Sequence, residues 1–259
     1  MNPSRVFVIA TNVFREVIRD RVLYLIAFLD ILLVAAAVLL REVSVGSDGK
    51  ILLDLSLAAI ELLGLVVAIF VGTALVNKEI EKRTVLVLMS KPISRAEFIV
   101  GKHLGLAAVL AVLVAAMTAI NLVILNVRQV PYSLPSLLLT ALYQFFELSL
   151  IGAVALLFGV FTSSLLATLL TFAVYLMGHL SRDLVALGKL SENPQLQQFT
   201  QSLYLLLPDL SRLDLKNQAV YGLQLLPAAI DLLSNALYGG IYTALLLAIA
   251  VLIFARRQF

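Results

Sequence analysis

Leu55–Val76 reads LSLAAIELLGLVVAIFVGTALV, 22 residues with a single charge, Glu61. A bilayer core of about 30 Å takes roughly 20 apolar residues in helix, so this stretch alone has the length and polarity of a membrane span. Five further stretches share the property: Val22–Leu40, broken only by Asp30, then His103–Asn126, Ser136–Val160 with Glu147, Ser164–His179 and Leu232–Ala255. Across the 259 residues 61% are hydrophobic and 14% charged, against about 45–50% and 25% in soluble domains. Too little polar surface is available to coat a soluble fold. The apolar residues run in blocks and do not alternate, which excludes an outer-membrane barrel. The expected fold class is an all-α membrane protein of six transmembrane helices. It forms one transmembrane domain over residues 1–259, with no separate soluble domain.

Topology follows from charge. With the N-terminus inside, twelve of the 19 Lys and Arg fall on the inner segments and seven on the outer ones, as the positive-inside rule demands. The inner face nets +7 and the outer face −1. Both termini are expected in the cytoplasm, in a multi-pass protein of the plasma or inner membrane. The first apolar run is longer than the 7–15 residues of a signal-peptide core and has no small-residue cleavage site after it, so it reads as a retained anchor. Without cysteine, the chain has no disulfide, thiolate catalyst or cysteine metal site. No metal site is expected, since His103 and His179 have no zinc-protease spacing. No GxxxxGK[ST] run occurs, so this chain holds no P-loop for ATP. No catalytic residue and no nucleic-acid partner is expected.

Three segments outside the spans carry information. Residues 1–21 start on Asn2–Pro3, a helix start with proline at the first position, and Val6, Ile9, Ala10, Val13 and Val17 repeat at helical spacing. This predicts an amphipathic helix along the inner membrane surface. Residues 77–102, NKEIEKRTVLVLMSKPISRAEFIVGK, hold nine charges in 26 residues. Glu79 to Met89 has a helical pattern, and Pro92 disfavours helix at Lys91. Ser94 with Glu97 fits a capping box that restarts a helix into the third span. A short crosswise helix, rigidly joined to spans two and three, suits the transmission of a push from a cytoplasmic partner; a solvated charged loop is the plainer reading. Residues 180–231 form a long outer segment broken by Pro194, Pro208 and Pro227, too apolar for a linker and suited to short helices at the outer interface. The three-residue connection Phe161–Ser163 makes spans four and five a hairpin.

The runs Glu79–Ile80–Glu81–Lys82–Arg83–Thr84, Ser90–Lys91–Pro92–Ile93–Ser94–Arg95, Glu97–Phe98 and Gly101–Lys102 resemble the first cytoplasmic loop of type-2 ABC exporter permeases. They are closest to the branch that serves copper-site maturation of nitrous-oxide reductase. Tyr204–Leu207, Pro208–Asp209–Leu210 and Asp214–Leu215–Lys216–Asn217 resemble that branch's last outer loop. The resemblance implies a permease that couples ATP hydrolysis in a separate subunit to movement of a substrate. Asn77 to Met89 would be the coupling helix that seats on the ATPase, with Lys78, Glu79, Glu81, Lys82, Arg83 and Thr84 at the interface. Residues 1–21 would be the connecting helix. The implied partners are two cytoplasmic ABC ATPases, which bind ATP and Mg, and a second permease, identical or related. This chain itself would carry no cofactor and no enzymatic activity.

Asp30, Glu61 and Glu147 lie within apolar spans, where a charge costs at least about 2.5–3.5 kcal/mol on insertion scales. They are the candidate intramembrane polar sites, for substrate gating, proton carriage or interhelical hydrogen bonding. Glu61 falls in the outer half of its span, within reach of outer-loop cations, while Glu147 has no cation at comparable depth. Gly64, Gly72, Gly152 and Gly159 are points of close helix approach. Two other function classes remain open on the residues. A proton-coupled secondary transporter would use Glu147 or Asp30, although the chain has neither an internal repeat nor a proline inside a span. A non-transporting membrane scaffold would bind an ATPase and move nothing.

Overall fold

The computed structural model describes residues 1–19, 28, 31–32, 35, 48–81, 93–191, 193–221 and 226–256. Among these there are eight α-helices and no strand. They are α1 (Pro3–Val17), α2 (Asp48–Glu81), α3 (Arg95–Val127), α4 (Leu134–Phe161), α5 (Ser164–Leu190), α6 (Pro194–Leu206), α7 (Lys216–Tyr221) and α8 (Ala229–Arg256), with a 3₁₀ turn at Leu210–Arg212. Five of them, α2, α3, α4, α5 and α8, are long and apolar enough to cross a membrane. Most of the expected first span, Val22–Leu40, and residues 82–89 of the expected loop helix fall outside the described residues.

Four of the starts have a local chemical cause. Asn2 Oδ1 accepts the Ser4 N–H at 3.1 Å ahead of Pro3. The capping box forms as the sequence predicts: Ser94 Oγ accepts the Glu97 N–H at 3.1 Å and Glu97 Oε2 accepts the Ser94 N–H at 2.8 Å. Ser133 caps α4 and Asn193 caps α6, each with proline in the first turn. α3 ends in a Schellman turn: the Val130 N–H donates to Leu125 O and the Gln129 N–H to Asn126 O. Gln129 takes the left-handed conformation there, with φ of 54°. At 33 residues α3 is about 50 Å long, well beyond the membrane core.

The residue pairs in contact give the directions of the helices. Along α2 and α4, Leu57 meets Gln144, Glu61 lies across from the Glu147 region, and Gly72 meets Ala155, so these two run the same way. Tyr175 meets Glu61 and Thr168 meets Thr73, so α5 runs opposite to α2. Arg95 and Phe98 meet the last residues of α8, so α8 runs opposite to α3. α4 is central, touching α2, α3, α5 and α8. About two-thirds of the most apolar window is buried in α2 and α4, but only 22% in α5 and α8. The outer flanks of α5 and α8 present Leu165, Leu169, Ile241 and Leu252, as a lipid-facing surface requires.

Glycines set the closest approaches. A Cβ on Gly72 would stand 2.7 Å from Ala155 Cβ, and one on Gly159 would stand 3.1 Å from Thr73 O. The α2–α4 seam therefore uses Gly64, Gly72, Gly152 and Gly159. A second seam joins α1 to α3, where Gly101 and Gly105 form a GxxxG pair that had not been singled out in the sequence. α1 runs parallel to the first turns of α3, with Val6 and Ile9 at Gly101, then Ala10 and Val13 at Gly105. Val6, Val13 and Val17 are buried. Three boundaries differ from expectation. α5 continues past His179 to Leu190, because Leu180–Leu190 holds helix formers and no proline. α2 extends beyond Leu55–Val76 at both ends, to Asp48 and Glu81.

Replacing Gly105 with Leu would force side-chain atoms into Val13, whose Cβ would lie 2.6 Å from the new Cβ. We expect a loss of about 1–3 kcal/mol, read as a lower melting temperature of the detergent-solubilised protein. The same change at Gly240, which has nothing within 4 Å, should leave that temperature nearly unchanged.

Candidate functional site

At one end of the bundle, the two flanks of the charged loop are tied to every neighbouring element. Before the loop, Glu79 accepts a hydrogen bond from Lys102 Nζ, which locks the last turn of α2 to α3. After it, Arg95 donates to the Phe254 and Ala255 carbonyls. It thereby satisfies carbonyls that the C-terminus of α8 leaves without helical partners. The Phe98 and Phe254 rings stack at 5.5 Å. Glu97, only 3% exposed, closes the capping box and also accepts the Asn2 backbone N–H at 2.6 Å, with Arg5 3.9 Å away. The start of α1 and the end of α8 thus lie at the same end as the loop.

Lys78 is exposed on the last turn of α2. Lys82, Arg83 and Thr84 lie outside the described residues, and so do the side chain of Glu81 and Asp30. Of the residues expected at a partner interface, the structure brings Glu79 into a network, through Lys102, a residue not included in that expectation.

Further along the bundle, α2, α4 and α5 bring Glu61, Glu147 and His179 together. Glu61 is 4% exposed and Glu147 1%. Tyr175 OH donates to Glu61 Oε1 at 2.5 Å, and Lys216 Nζ donates to Glu61 Oε2. Lys216, the first residue of α7, also stands 3.4 Å from Asp214 Oδ2. Burial pushes the Lys216 ammonium toward deprotonation, but the Glu61 and Asp214 carboxylates outweigh it and hold its pKa above the ordinary lysine value. His179 Nε2 lies 3.3 Å from Glu147 Oε1 and 3.8 Å from Glu61 Oε1. Its Nδ1–H donates to the Tyr175 carbonyl at 3.3 Å, one turn back. Neither Glu147 oxygen makes a hydrogen bond among the described residues.

Lys216, Tyr175 and His179 were absent from the expected site. The pair Tyr175–His179, four apart on an apolar helix, was a readable signal, since i and i+4 share a face. Lys216 meets the expectation that Glu61 lies within reach of outer-loop cations, but no spacing rule picks it out among them, because the contact spans 155 residues.

Beside this cluster, Asp209 gathers the outer segment. It accepts from Arg182 Nε at 2.9 Å, Arg212 Nε at 3.1 Å, Ser211 Oγ at 2.5 Å and Tyr204 OH at 3.3 Å. Its own N–H donates to Tyr238 OH at 2.8 Å. Asp209 thereby joins α5, α6 and the 3₁₀ turn through its carboxylate and α8 through its backbone N–H. Burial works to raise its pKa, but the hydrogen bonds from Ser211 and Arg182 and the arginine charges prevail, and it lies below the ordinary aspartate value.

Two outcomes follow. Lys216→Met should cost about 3–5 kcal/mol by leaving Glu61 buried without its cation. Lys216→Met with Glu61→Gln should regain most of that loss in a thermal-melt double-mutant cycle. For Asp209, a depressed folded pKa gives stability that is present above the unfolded value of about 3.9 and is lost as pH falls through the folded value. Protease cleavage within 207–215 should therefore rise only below about pH 4 in the wild type, and should already be present at pH 7 in Asp209→Asn.

No curated protein matches the chain. A protein-family model does, described as ABC-2 family transporter protein, over residues 7–259. That match takes in every described helix except the first turn of α1, including both flanks of the charged loop and the buried cluster. By it, the chain is a multi-pass membrane protein of the kind that partners an ATPase subunit, and it belongs to the ABC-2 transporter family.

Proposed function

We propose that the chain is the permease subunit of an ATP-driven exporter, in which a separate ATPase seats on the loop that follows α2. The observation that carries this is the bracing of the loop's flanks. Glu79–Lys102, Arg95 with the end of α8, and Glu97 with the start of α1 make four helices move as one body when the loop is displaced. A load applied at residues 77–89 would reach α2 and α3 without being lost in a flexible hinge.

In this reading Lys78, Glu79, Glu81, Lys82, Arg83 and Thr84 form the ATPase interface, and ATP and Mg are bound by the partner. Two permeases, identical or related, would carry two ATPases and enclose the path between them. The loop end is the cytoplasmic one, supported by its excess of Lys and Arg and by the presence there of both the first and last described helices. A sixth crossing at Val22–Leu40 fits that orientation, since α1 lies at the loop end. The start of α2 lies at the other, where Lys50 faces the Tyr221 ring. Membership of the ABC-2 family favours ATP over a proton gradient as the energy source, and transport over a scaffold role.

Co-purification with the ATPase subunit tests the reading. Glu81→Ala with Arg83→Ala should abolish the complex. Lys102→Met paired with Lys102→Arg as the conservative control should keep the complex, and the Met variant alone should lower permease-dependent ATPase stimulation by about tenfold. Unchanged assembly in the double variant and unchanged stimulation in Lys102→Met would overturn the coupling role.

A further inference from the structure

We propose that Glu61, Glu147 and His179 form a binding site for a divalent transition-metal ion of the zinc class. The carboxylate–imidazole contact has an unusual sign. His179 Nδ1 donates to a carbonyl, so it carries a ring hydrogen, and Nε2, 3.3 Å from Glu147 Oε1, is the nitrogen left to take a proton or a metal ion. Two acceptors pointed at each other in an apolar interior repel unless a positive centre lies between them. An imidazole fixed through Nδ1–H to a carbonyl, with Nε2 presented inward, is the arrangement that metal-ligating histidines adopt.

Distances and charge agree. One donor atom from each of the three residues lies within 4.8 Å of the others. Donors about 2.0–2.2 Å from a tetrahedral zinc ion are roughly 3.3–3.6 Å apart, and the two separations from His179 Nε2 are 3.3 and 3.8 Å. Tyr175 supports the site twice, through its hydroxyl on Glu61 Oε1 and its carbonyl on His179 Nδ1. Lys216 uses the other oxygen of Glu61. Counting Asp214 beside Lys216, three carboxylates face one ammonium, and a dication cancels the remaining two negative charges. One nitrogen with two oxygens suits zinc, cobalt or their neighbours better than calcium or magnesium. Three protein ligands leave the fourth position open to water or to an incoming group.

This site is independent of ATPase pairing, so its test needs the permease chain alone. The tag-free full-length chain in detergent, stripped with a chelator, is titrated with Co²⁺ and followed by visible absorption and elemental analysis. One Co²⁺ per chain, with ligand-field bands lost on adding Zn²⁺, is expected. Glu147→Gln and His179→Gln should each weaken binding by at least about 100-fold, whereas His103→Gln, at the chain's other histidine, should not. Far-ultraviolet circular dichroism and gel filtration establish that the variants are folded. A wild-type chain that binds no Co²⁺ would overturn the proposal and leave a shared proton between Glu147 and His179. Undiminished binding in both folded variants would overturn it as well.

Discussion

Glu61 is 4% exposed in the middle of an apolar helix, and an ion so placed is costly unless another charge meets it. Its match is Lys216, 155 residues later. That pairing determines where the chain goes after α5. To bring an ammonium to Glu61, the segment between α5 and α8 has to fold back onto the bundle. The rest of the segment is arranged around this requirement: Asp214 braces Lys216, and Thr140 and Ser136 of α4 donate to the Leu215 and Gln218 carbonyls. Asp209 then gathers α5 and α6 around its carboxylate and α8 at its backbone N–H. The outer segment is thus a lid tied down by polar contacts, over spans that hold together by close apolar packing.

The two ends of the bundle are built differently. At the loop end the contacts are short-range in sequence or involve chain termini: capping box, helix C-terminus, stacked rings. At the other end they converge on two carboxylates, Glu61 and Asp209, over sequence separations from 2 to 155 residues. Between them lies the glycine seam of α2 and α4, which brings two backbones close enough that no side chain longer than hydrogen fits at Gly72. Glu79 and Glu61 both lie on α2, so the first flank of the charged loop and one of the buried carboxylates share a single helix.

Much of this was legible in the sequence because it rests on local rules. Span positions follow from apolar runs, the start of α3 from Ser94 and Glu97, the start of α1 from Asn2 and Pro3, and the polar candidates from acids in apolar blocks. What escaped was non-local or masked by composition. Lys216 cannot be assigned to Glu61 by any spacing rule. α5 was expected to end at His179 because hydropathy falls there, but a helix needs only continued helix formers and no proline, and both conditions hold to Leu190. Gly101 and Gly105 lie in a charged, helix-starting stretch, where a glycine pair does not suggest membrane packing, yet they seat α1.

The length of the Glu61–Lys216 contact also has a meaning in time. At roughly 5–20 residues per second of synthesis, the 155 residues between them take about 8–30 s to appear. For that interval the helix carrying Glu61 has no ammonium to meet. α1 likewise waits for Glu97, 95 residues on from Asn2. The nascent chain therefore passes through a stage in which α2 to α5 have been made and Glu61 still lacks its ammonium, and α7 then supplies the charge that a helix made long before it requires.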